Sequence, residues 1–192
     1  MATSPRSATV HFAKGEVLRA QKRYDEAIPE YERVLAFDRN SVSALIALGH
    51  CKLMSGSIEE LIPLMERAIR LSPRDPQIAV MYYRIGEVHL LQSRDDEAIS
   101  WFEKARSANL ELEYVHAFLA SAYALKGETE RAAAELAEAR RLVGNDRYSN
   151  IARLKTGYLG VPKTAPCSKP LIWWVCTRRE YQRTERAVCR NF

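Results

Sequence analysis

The sequence is poor in the features that carry most chemistry. Glycine is scarce, with eight in 192 residues, and none of it forms a phosphate-cradling loop or a G-x-S-x-G nucleophile turn. The four histidines, His11, His50, His89 and His116, contain no H-E-x-x-H arrangement. The four cysteines include no C-x-x-C, so zinc is not expected. No apolar run approaches the ~18–20 residues of a membrane span. The longest near the C-terminus is Leu171–Cys176. Met1–Val10 holds one arginine and no apolar signal-peptide core, so the expected compartment is the cytoplasm. What is present, 47% hydrophobic and 28% charged residues over 192 positions, suits one folded domain with a tail or two very small domains.

Charge and cysteine are both concentrated at the end. From Pro166 onward, Lys169, Arg178, Arg179, Arg183, Arg186 and Arg190 face only Glu180 and Glu185, a net +4 of the chain's +5. The body before it is almost neutral, which argues against nucleic acid as the partner of the folded part. Cys51 stands alone in the body and is expected to pack as a small hydrophobe. Cys167, Cys176 and Cys189 lie in the tail.

The body repeats itself. Gly15, Gly49, Gly86 and Ala120 are separated by 34, 37 and 34 residues. The same intervals link Ala27, Leu61, Ala98 and Ala132, then Tyr31, Met65, Phe102 and Leu136, then Val34, Ala68, Ala105 and Ala139. The three extra residues fall at Pro73-Arg74-Asp75-Pro76, where a turn is expected. Within a unit, Tyr82, Ile85, Gly86 and His89 mark one helical face, Ser93–Asp96 a break, and Ala98, Phe102 and Ala105 a second helix. Gly or Ala in the first two columns, Leu61 excepted, lets the helices approach, and the large residue of the Phe102 column fills the space beside them. Pro29 and Pro63 share one column inside the second helices, where a local kink is expected.

These columns resemble the tetratricopeptide repeat (TPR). The resemblance implies an all-α fold, four helix–turn–helix units (8–41, 42–75, 79–112 and 113–146) stacked as a right-handed α-solenoid. Residues 1–7 would be an N-terminal extension, 147–163 an amphipathic capping helix and linker, and 164–192 a disordered basic tail. The family's groove is lined by first helices. Carried over by column, its lining here is Phe12, Glu16 and Arg19; Ile46, His50 and Leu53; Tyr83, Glu87 and Leu90; Ala117, Ser121 and Ala124. The Lys and Asn residues with which some TPR domains clamp a terminal carboxylate are missing, which disfavours chaperone tails. The implied function is non-catalytic binding of a protein or peptide segment, with self-association possible and with no cofactor, metal or membrane. His89 and His116 fall in packing columns. Glu59-Glu60, Asp95-Asp96-Glu97 and Glu128/Glu130 are read as charges favouring helix N-termini, not as catalytic pairs.

A closer resemblance rests on Arg70–Pro76, Val88–Ser93, Trp101–Asn109, Ala120–Gly127 and Tyr158–Lys163. These are similar to the C-terminal TPR region of bacterial, rhizobial-type class III adenylate/guanylate cyclases, and of related winged-helix regulators. That implies a fragment of the regulatory region of a cyclase-like signalling protein. The cyclase's metal-binding aspartates have no counterpart. The family's final helix is replaced by the Trp- and Arg-rich tail. Back-translated and read two nucleotides later, the tail permits ALFEATYLVGLHKAGIPED, the family ending, so a frameshift near Thr164–Ala165 is expected. The alternatives are an inactive fragment carrying the cyclase name and a nucleic-acid-associated protein using its Arg-rich tail.

Overall fold

A computed structural model describes residues 5–143. The expected capping helix and basic tail, 147–192, lie outside the described residues. Those described form eight α-helices and no strand: α1 (Pro5–Ala20), α2 (Tyr24–Phe37), α3 (Val42–Ser55), α4 (Leu61–Leu71), α5 (Ile78–Leu91), α6 (Asp95–Ala108), α7 (Glu113–Leu125) and α8 (Thr129–Val143). Each helix packs on the next, and the first helices α1, α3, α5 and α7 also touch in sequence, forming one layer of the stack. Pro5–Ser7, expected as an extension, are the opening turn of α1, where proline's fixed φ suits the first helical position.

The small–large columns close each hairpin. A Cβ added at Gly86 would lie 2.7 Å from the Phe102 ring, and one at Gly15 would lie 2.8 Å from Tyr31. The glycines are therefore the space that the aromatic rings occupy, and both rings are fully buried. The turns within units are also repeats of one another. Lys22, Gly56, Ser93 and Gly127 occupy one column, each in the left-handed region with φ of 60, 96, 58 and 81°. The next residue's N–H then reaches back across the helix end in all four: Arg23 to Leu18, Ser57 to Lys52, Arg94 to His89 and Glu128 to Tyr123, at 2.9 Å each.

The two prolines have different outcomes. In the second unit a 3-10 turn, Ile58–Glu60, precedes α4, and Pro63 falls in the first turn of that helix. An N–H there has no partner within the helix, so its absence costs little. Pro29 sits further along α2, which nevertheless continues through it from Tyr24 to Phe37.

Candidate functional site

The face carried by the first helices is built around two ion pairs, each closed within one helix. On α1, Arg19 donates to both oxygens of Glu16, at 3.2 and 2.5 Å, while Tyr31 Oη donates to the same carboxylate at 2.6 Å. These bonds hold Glu16 below its ordinary pKa, the Arg19 bond most strongly. On α5, Arg84 donates to Glu87 at 2.6 Å and lies 5.1 Å from the centre of the Tyr83 ring.

His50 of α3 lies between them. Its ring meets Tyr24 edge-on at 6.0 Å. Burial, and then the nearby guanidiniums of Arg84 and Arg19, push its pKa down to about 3. It is therefore a neutral imidazole, with one nitrogen to donate and one to accept. Arg84 also acts electrostatically on Tyr24 and Tyr114, whose hydroxyl pKa values burial raises. Beside it, Tyr114 stacks edge-on against Tyr83 at 4.7 Å. On α7, Ser121 Oγ donates to the carbonyl of Ala117 at 3.0 Å.

The expected lining is thus divided. Phe12, Glu16, Arg19, Ile46, His50, Ala117, Ser121 and Ala124 are partly exposed. Leu53, Tyr83, Glu87 and Leu90 are buried, Glu87 reaching the face only through its bond from Arg84. Tyr83 turns inward because Phe102 and Phe118 offer its ring apolar partners at 6.0 and 5.1 Å. Three residues the column transfer missed, Tyr24, Arg84 and Tyr114, complete the cluster. Arg84 carries a signal in the sequence: its column otherwise holds Ala13, Ala47 and Phe118.

The remaining expected positions are structural. His116 is buried, with Nδ1 2.7 Å from Glu135 and Nε2 3.1 Å from the Leu110 carbonyl. Cys51 is buried in the core, and burial raises its thiol to about 11. Asp95, Asp96 and Glu97 form the first turn of α6. Among the described residues no three His, Cys, Asp or Glu side chains gather as a metal site, and no helix is long and apolar enough to cross a membrane.

Two tetratricopeptide-repeat family models match, at residues 8–41 and 40–111, together more than half of the chain. A TPR repeat-containing protein of Treponema pallidum (strain Nichols) is 27% identical over 145 residues. That match covers 75% of this chain but only 18% of the relative's length. Among solved structures, a crystal structure of MamA superposes with a TM-score of 0.64 at 19% identity, covering 96% of each chain. YrrB, described as a TPR protein with an unusual peptide-binding site, gives 0.61 at 13% identity, covering 92% of this chain and 90% of its own. A mutant O-GlcNAc transferase of Thermobaculum terrenum gives 0.65 at 17% identity, over 73% of this chain and 27% of its own. Repeat columns, helix pairing and family models agree: the chain belongs to the tetratricopeptide-repeat family.

Proposed function

We propose that this chain is a non-catalytic interaction module that holds an extended protein segment along the face of α1, α3, α5 and α7. The observation that supports this best is the cluster of His50, Tyr24, Arg84 and Tyr114. It combines part-dry aromatic surface with groups that can donate to and accept from a peptide backbone, the composition that protein-recognition surfaces favour. The carboxylates of Glu16 and Glu87 are already engaged by arginine, and Glu16 is held below its ordinary pKa, which suits binding better than acid–base chemistry. YrrB's peptide-binding site on the same fold adds to this reading.

The test uses the full chain and peptides selected against it from a random display library. Tyr24→Ala and Tyr114→Ala are each expected to weaken the selected peptides by at least about tenfold, as central aromatic anchors do. Arg70→Ala, on the exposed side of α4, is expected to change nothing. Affinity that survives both tyrosine substitutions would overturn the proposal.

The parent protein is proposed from sequence alone: a cyclase-like signalling protein whose regulatory region these repeats form, on the strength of the Arg70–Pro76, Trp101–Asn109 and Tyr158–Lys163 stretches. The nucleotide sequence of the locus tests it. A cyclase or winged-helix reading frame immediately upstream is expected, with the alternative frame of the tail spelling the family's final helix. A gene that stands alone with an unshifted tail would refute it.

A further inference from the structure

The two ends of the stack carry complementary halves of one repeat junction. On α1, Val10 and Val17 are 64% and 56% exposed, and Ala13 and Ala20 beside them are exposed as well. In the later units the Val10 column holds Ala44, Met81 and Val115, and the Val17 column holds Cys51, Val88 and Ala122, every one 0% exposed. They are covered because the second helix of the preceding unit lies on them: Met81 and Val88 share a core with Leu61 and Met65, and Val115 and Ala122 with Ile99 and Phe102. At the other end, α8 presents Ala133 and Ala137 to solvent, at the positions from which Ile99 and Glu103 of α6 meet α7.

Charge identifies the occupant. At the α6/α7/α8 junction, Arg106 donates to Oε1 of Glu135 while His116 holds Oε2 at 2.7 Å. The earlier junctions fill these three columns with apolar side chains: Leu35, Leu64 and Leu45, then Ile69, Trp101 and Tyr82. The next such triad would combine α8 of one chain with the first unit of another: Arg140, Glu30 and His11, the same three residue types. Glu30 already has His11 on Oε2 at 2.6 Å. Its Oε1 is served by Lys14 and Arg33, whose side chains are 60% and 55% exposed and can turn outward.

We propose that the chain associates with itself head to tail, α8 of one copy seated on α1 of the next, with Arg140 of the first beside Glu30 of the second. The contact uses a different surface on each partner, so it does not close at two copies and extends with concentration. Each partner contributes little more than one helix face to the contact, so the association is expected to be weak and reversible.

Sedimentation of the full chain from micromolar to millimolar concentration is the test. The average mass is expected to rise steadily, past that of two chains. Val17→Glu disables the α1 seat and Ala137→Glu the α8 surface; both positions are exposed, and an unchanged helical circular dichroism spectrum verifies folding. Each variant alone is expected to lose the concentration dependence. Their equimolar mixture is expected to form a species of two chains and nothing larger, because one live face remains on each. Arg140→Glu is expected to weaken the assembly about tenfold. A chain that stays monomeric throughout overturns the proposal, including the case in which only a chain ending at residue 146 associates because 147–159 covers α8. So does an Ala137→Glu variant that still forms dimers, which would mean that α1 packs on α1.

Discussion

His116 holds Glu135 across α7 and α8 at 2.7 Å just as His11 holds Glu30 across α1 and α2 at 2.6 Å, and the two pairs are repeat equivalents. The inner units fill the same positions with Leu45 and Leu64, and with Tyr82 and Trp101, whose ring centres lie 5.8 Å apart. One structural problem is therefore met twice with a His–Glu hydrogen bond and twice with apolar packing. Removing one partner of a buried hydrogen bond leaves the other unsatisfied, whereas replacing both by hydrophobes of the same shape can be nearly neutral. Glu135→Leu alone strands both the buried His116 and Arg106 and is expected to cost about 2 kcal/mol. Adding His116→Leu, which copies two of the three leucines Leu35, Leu45 and Leu64 and leaves the part-exposed Arg106 to solvent, should recover part of that loss. Urea unfolding of the single and double variants measures the coupling, and strictly additive losses would contradict it.

The left-handed turn column gives a second prediction. Gly56 and Gly127 adopt positive φ without steric conflict, but Lys22 and Ser93 bear a Cβ in the same conformation. Ser93→Gly is expected to stabilise the chain by about 0.5–1 kcal/mol, and Gly127→Ala to destabilise it by a similar amount. Nothing lies within 4 Å of a Cβ at Gly127, so backbone strain alone is being tested there. Melting curves should move in opposite directions for the two variants, by roughly 2–4 °C. A lower melting temperature for Ser93→Gly would mean that its side chain contributes more than its backbone costs.

The helix pairs were legible in the sequence because the same steric fit recurs: glycine or alanine at one position and a large side chain sixteen residues later, as in Gly86 and Phe102. Lys22 and Ser93 were not legible as left-handed turn residues, since neither is glycine; only alignment with Gly56 and Gly127 reveals them. The 3-10 turn before α4 was hidden in the same way, behind a column that Pro63 shares with Pro29. At the candidate site, the repeat columns named Glu16, Arg19 and His50, which are partly exposed, and equally Leu53, Tyr83, Glu87 and Leu90, which are buried. Which way a side chain turns at such a position depends on the neighbours it finds, and for Tyr83 those are Phe102 and Phe118, one on the adjacent helix and one in the next unit.

The candidate site should also set the response to acid. His50 is neutral in the folded chain, its pKa pushed down from 6.5 to about 3 by burial and by the Arg84 and Arg19 guanidiniums. The unfolded chain binds a proton there near pH 6.5 and the folded chain does not, so stability falls as pH drops from 6.5 toward 3. Glu30 behaves differently: Lys14 and His11 hold its carboxyl down at about 2, and its contribution, intact above 4.5, is lost between 4.5 and 2. The two windows separate between pH 6.5 and 4.5, where His50 titrates in the unfolded chain and Glu30 does not yet. His50→Gln, which keeps a neutral polar side chain of similar reach, is expected to flatten the pH dependence in that interval and leave the steeper loss below it. Denaturant unfolding of both proteins across the acid range reads this directly. Equal slopes between pH 6.5 and 4.5 would show that His50 is protonated in the fold, and that the imidazole meets any bound segment as a cation.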